Sequence, residues 1–82
     1  MIRGVAIMYE NKMYSLPTPA RHGDVIKLIV KEAGVRRVYG EQGFVTDEGV
    51  FLDRMSATDY ALKSGQVEGP IRSSGLCSEN LW

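Results

Sequence analysis

The chain has 82 residues, ten acidic and ten basic, for a formal net charge of zero, and 44% of its residues are hydrophobic. That is enough apolar material for one globular domain and too little length for two. The charge balance excludes the non-specific grip on nucleic acid that a basic excess provides, so any anion site has to be a local patch.

Cys77 is the single cysteine. It allows no intramolecular disulfide and suits a reducing compartment. The opening MIRGVAIMYE carries an apolar run shorter than a signal-peptide core, and no stretch approaches transmembrane length. A soluble protein of the cytoplasm, without a membrane partner, is expected. A domain this small often gains stability by self-association, so a homo-oligomer is expected too.

Val5 to Tyr9, rich in Val, Ile and Tyr, predicts a strand, and Met13 to Leu16 resumes the alternation after Glu10-Asn11-Lys12. Asn tolerates the left-handed conformation of a tight turn, which makes this a hairpin. Pro17-Thr18-Pro19-Ala20 reads as a loop, because proline cannot donate to a ladder. From Gly23 to Ala33 the spacing predicts a helix with a broad apolar face of Val25, Ile26, Leu28, Ile29, Val30 and Ala33, stopped by Gly34. So wide a stripe predicts two contact surfaces, the sheet plus either a second helix or a partner subunit.

Gly40-Glu41-Gln42-Gly43 reads as a loop by composition. Phe44-Val45-Thr46 and Val50-Phe51-Leu52 flank Asp47-Glu48-Gly49 in a second hairpin, with Gly49 at the bulge position. A second helix follows, with Ser56 as N-cap and Asp59 three residues on. Ala57, Tyr60 and Ala61 form its buried face, and Gly65 closes it. The pattern predicts one α+β domain over residues 1–69, a ββαββα arrangement with an antiparallel sheet and both helices on one face. Residues 70–82 form a tail, polar until Leu81-Trp82, whose tryptophan is expected to dock on its own or a neighbouring subunit.

The residues that could bind a ligand cluster in three places. Arg21-His22-Gly23 opens the first helix, where free N–H groups and the positive dipole end favour a phosphate or carboxylate. Its alternative reading is a surface ion pair for Arg21 and a helix cap for His22. In Gly40-Glu41-Gln42-Gly43-Phe44, Gln42 can read a base edge, and Phe44 can either stack on a ring or belong to the core. Arg54 follows Asp53 and can bind a ligand or pair with Glu48 or Asp59. Arg36-Arg37 reads as solvated charge, since neighbours on a strand face opposite ways.

No catalytic group, metal or cofactor is expected. One histidine and one distant cysteine make no ligand cluster. A Cys77–His22 dyad would place its nucleophile in a tail that nothing in the sequence holds rigid. No nucleophile-elbow pattern surrounds any serine.

At YSLPTPARHGDVI, at GEQGFVTDEGVFLDR with the alanine-containing helix ending in SGQ, and at SENLW, the chain resembles a group of small proteins of tailed bacteriophages. These stretches follow in the same order and cover most of the chain. The family pattern often has a second histidine where Gly23 stands and an aspartate where Asn80 stands. The resemblance implies a phage protein that acts by binding in the host cytoplasm, against host defence. One form is a sponge for a cyclic oligonucleotide or related messenger, with Arg21, His22, Gly23, Gln42, Phe44 and Arg54 as ligand residues. The other is an inhibitor of a host protein, with Leu81-Trp82 or the first helix as its apolar surface.

Overall fold

In the computed structural model, which describes residues 1–71 and 75–82, the chain alternates hairpins and helices. The elements are β1 (Ile2–Tyr9), β2 (Lys12–Pro17), α1 (His22–Ala33), β3 (Glu41–Thr46), β4 (Phe51–Asp53) and α2 (Arg54–Ser64), with a 3-10 turn at Ser78–Asn80. The part of the tail at 72–74 lies outside the described residues.

The four strands form one antiparallel sheet in the order β2-β1-β3-β4. Each hairpin therefore supplies one inner and one outer strand. Glu10 and Asn11 both take positive φ (50° and 63°), the two-residue turn whose twist suits a hairpin. In the register, Val5 lies between Leu16 and Phe44, and Ile7 lies between Tyr14 and Gln42. Alternation puts these side chains on one face. Val5, Ile7 and Phe44 there share a single core with Val25 and Ile29 of α1 and Ala57 and Ala61 of α2. Both helices thus cover the same side of the sheet, as the ββαββα pattern predicts.

α1 buries Val25 and Ile29, while Ile26, Leu28 and Val30 stay half-buried and Ala33 is exposed. The broad apolar stripe is thus covered only in part. α2 approaches the sheet through the small residues Ala57 and Ala61. Gly34 and Gly65 end the helices in the left-handed conformation (φ 68° and 77°), as expected.

Three local expectations change. The cap of α2 is Asp53, whose Oδ1 accepts the Ser56 N–H at 2.7 Å, so Ser56 lies inside the helix instead of starting it. Residues 41–43 belong to β3 and are not a loop. A side chain at Gly43 would collide with the Leu52 carbonyl and the Phe51 ring, so glycine here serves strand pairing. Pro17 closes β2, an outer strand, where a missing donor costs least.

The tail packs on its own chain. Leu76 is fully buried in the core and donates its N–H to Thr58 Oγ1 (2.8 Å). Ser78 is buried, and Trp82 Nε1 donates to the Ala20 carbonyl (3.0 Å). Among the described residues no helix is long and apolar enough to cross a membrane.

Candidate functional site: a cleft where two helices begin

Arg21 is the N-cap of α1, in extended backbone, and its side chain has no acceptor to offer the first turn. Asp24 Oδ2 accepts the Arg21 N–H (2.8 Å), which orders the turn but leaves the leading N–H groups of the helix pointing outward. Arg54 is the first residue of α2. Arg21, His22, Gly23 and Arg54 line one open cleft of about 200 Å³ together with Cys77, Ser78 and Glu79. The fold therefore brings two arginines, 33 positions apart in sequence, to the place where both helices start.

Each side chain is held differently. His22 Nε2 lies 2.7 Å from the Gly43 carbonyl, which can only accept, so the imidazole carries its proton on Nε2. Its ring stands edge-on to Phe44, with centroids 5.1 Å apart. Burial pushes the His22 pKa below the usual histidine value; the charge of Arg54 adds to this, against the Gly43 carbonyl and Glu79. Arg54 Nη2 donates to Gln42 Oε1 (3.0 Å), and Nη1 makes a long contact with Cys77 Sγ (3.9 Å). Arg54 pairs with neither Glu48 nor Asp59; Asp59 is bound to Lys63 instead (3.0 Å).

Arg21 is the exceptional group. Its Nη1 is buried and has no hydrogen-bond partner. The ion pairs among the described residues are Met1–Asp47 and Lys63–Asp59, so neither cleft arginine is neutralised by a carboxylate within 4.0 Å. Glu79 lines the same cleft without closing on either of them.

Of the ligand residues expected from sequence, Arg21, His22, Gly23 and Arg54 share the cleft wall. Gln42 holds Arg54 in place, so its amide oxygen is already engaged. Phe44 is fully buried and belongs to the core, so its ring offers no open face to a base. A Cβ at Gly23 would meet nothing within 4 Å, so the cleft has room for the histidine of the family pattern. Arg36 and Arg37 are exposed outside the cleft, and Arg37 reaches the Tyr39 hydroxyl (3.5 Å).

Sequence reasoning missed Cys77, Ser78 and Glu79. The available signal was Leu76, an apolar residue followed by a short turn, which anchors them. The Cys77 N–H donates to Asn80 Oδ1 (2.8 Å), and buried Leu76 and Ser78 flank it, so this part of the tail is held firmly after all. The contacts of the thiol are Arg54 and the Gly75 carbonyl, each at 3.9 Å. A larger cavity of about 470 Å³, lined by Pro70, Gly75, Cys77, Glu79 and Asn80, shares Cys77 and Glu79 with the arginine cleft. Among the described residues no three His, Cys, Asp or Glu side chains are grouped to hold a metal ion.

Fold and site together define a small α+β protein with an arginine-lined cleft at the joint start of its two helices. The chain belongs to the Phage T4 y16D protein family, whose model it matches over residues 1–82. It is thus a small bacteriophage protein, as the resemblance implied. No curated protein and no solved structure matches it.

Proposed function

We propose that this phage protein captures a small anionic nucleotide in the arginine cleft and holds it without catalysis, as a sponge for a nucleotide messenger of host defence. It acts in the host cytoplasm, and as a homo-oligomer.

The observation that carries this reading is the pair Arg21 and Arg54 on one cleft, unpaired with any carboxylate, with Arg21 Nη1 buried and unsatisfied. A buried donor without a partner costs about 1–3 kcal/mol, and more when charged. A shift of the Arg21 side chain that brings Nη1 to the cleft surface lets an anionic oxygen remove that cost. The free N–H groups and dipole of α1 add to the attraction. His22 is tied to Gly43, which suits it to shaping the site more than to moving protons. With Cys77, Ser78 and Glu79 on the wall, the cleft fits a single phosphate group better than a long polyanion.

A panel of cyclic di- and trinucleotides and NAD-derived signals, screened by thermal shift, tests the reading. A bound member raises the melting temperature by mass action. Arg21→Ala abolishes that rise and Arg37→Ala leaves it in place. Equal effects of the two substitutions would place the site elsewhere, and no shift with any member would remove the nucleotide reading.

One observation favours the second reading, an inhibitor of a host protein. Met55 and Leu62, seven residues apart on α2, are 63% and 41% exposed and share a helix face. Leu81 and Trp82, the surface expected from sequence, instead pack on the protein's own core. Capture of one specific host protein, lost in Met55→Lys with Leu62→Lys and kept in Arg21→Ala, would decide for this reading.

A further inference from the structure

Gln42 stands where the sheet calls for an apolar residue. It pairs with Ile7 across the β1–β3 ladder and shares the helix-facing side of β3 with Phe44. Ile7 and Phe44 are fully buried in the core, whereas Gln42 is half-buried and turns its amide oxygen to Arg54. Among the described residues, the Arg54 guanidinium donates to Gln42 Oε1 (3.0 Å from Nη2) and, at long range, to Cys77 Sγ (3.9 Å from Nη1). Neither partner is a carboxylate.

We propose that Gln42 is the positioning residue of the anion cleft, a neutral acceptor that fixes the Arg54 guanidinium and leaves its positive charge for the ligand. The inference rests on the anion capture proposed above and names a residue that acts on the ligand through Arg54.

A long arginine side chain that is free in the empty site must be ordered when the ligand binds, and that ordering weakens binding. An acceptor already in place removes this cost, which is how a supporting residue sharpens a site. Two kinds of side chain could supply it here. A carboxylate holds a guanidinium most firmly, but it cancels the charge and competes with an anion for the same donors. An amide oxygen carries no net charge and takes one N–H, so the remaining donors and the charge stay available. The same helix shows the other choice. Lys63 of α2 is bound by the Asp59 carboxylate (3.0 Å), and neither residue lines the cleft. Gln42 sits on an inner strand, so the ladder with β1 fixes the backbone from which the amide reaches Arg54. Glutamine and glutamate have nearly the same shape, so the identity of residue 42 is a choice of charge.

The test is NMR titration of the whole isotope-labelled protein, as wild type, Gln42→Glu and Gln42→Met. The probes are inorganic phosphate and any member of the nucleotide panel that shifts the melting temperature. Gln42→Glu keeps an acceptor of the same shape, so the melting temperature stays level or rises while affinity falls about 10-fold or more. A merely structural role predicts no such loss, because the hydrogen bond to Arg54 survives in this variant. Gln42→Met keeps the bulk and removes the acceptor, and affinity falls several-fold with the amide spectrum of the fold retained. Undiminished binding in either folded variant overturns the role of Gln42, and leaves the capture standing where Arg21→Ala still abolishes binding. A lower melting temperature in Gln42→Glu overturns it as well, because the carboxylate then does not pair with Arg54. If Gln42→Met fails to fold, Gln42→Glu decides alone. No binding of any probe by the wild type at millimolar concentration overturns both this inference and the capture on which it rests.

Discussion

The two ββα halves close their helices alike, with a left-handed glycine, but open them differently. α2 starts with Asp53, whose carboxylate accepts the Ser56 N–H and whose pKa is lowered by that bond. α1 starts with Arg21, which brings a positive charge to an end that is already positive. The second half spends its first turn on stability. The first half closes its turn through Asp24, which accepts the Arg21 N–H, but leaves Arg21 Nη1 unsatisfied, and the fold sets Arg54 on the same cleft. Within one pair of similar units, the helix whose cap residue offers no side-chain acceptor is the one whose start carries an unsatisfied guanidinium nitrogen.

The halves also pack differently, and the largest effects are expected there. Ile29→Ala removes a fully buried side chain of α1 and should cost about 2–5 kcal/mol, read by urea unfolding. Ala61→Leu has the opposite fault: it forces bulk between α2 and the sheet and should cost about 1–3 kcal/mol. If Ala61→Leu proved neutral, the close approach of α2 would be looser than that of α1, and the contrast would fail.

Much of this architecture was legible because its signals are local. Asn11, Gly34, Gly49 and Gly65 mark turns and helix ends through backbone conformations that few residues adopt. The start of β3 was not legible, because Gly43 resembles a loop residue until Phe51 and Leu52 are seen lying against it. The start of α2 was read too late in the chain, since Ser56 is as good a cap as Asp53 and only the geometry shows which accepts from which. The place of Arg21 at the start of α1 could be read from sequence. Its meeting with Arg54 and Glu79 could not, because that depends on how α2 and the tail fold back onto the sheet.

The helix starts give a double contrast of intermediate size. Asp53→Ala removes a cap and should lower the melting temperature by a few degrees while leaving ligand affinity nearly unchanged. Arg21→Ala should do the reverse, leaving stability unchanged or slightly raised because a buried unsatisfied donor is gone, while affinity falls at least ~10-fold. Melting curves with and without ligand on both variants check this. Loss of stability in Arg21→Ala equal to that in Asp53→Ala would mean that the arginine is a structural element like the cap.

The smallest expected effect sharpens the same contrast through pH. Burial, aided by Arg54, lowers the His22 pKa in the folded protein, so the unfolded chain takes up the proton more readily. Stability from this group is fully present above the ordinary histidine value of 6.5 and is lost as pH falls through the lower folded value. His22→Gln should therefore show a flatter dependence over that interval, with the depressed carboxylates of Asp47 and Asp53 contributing only at more acid pH. Ligand affinity should move the other way. A phosphate in the cleft offsets the charge of Arg54 and raises the His22 pKa, so binding takes up a proton and strengthens as pH falls. Opposite slopes for stability and affinity, both flattened in His22→Gln, require the histidine to lie beside the bound anion. Parallel curves for wild type and variant would detach His22 from the site and leave Arg21 and Arg54 to hold the anion alone.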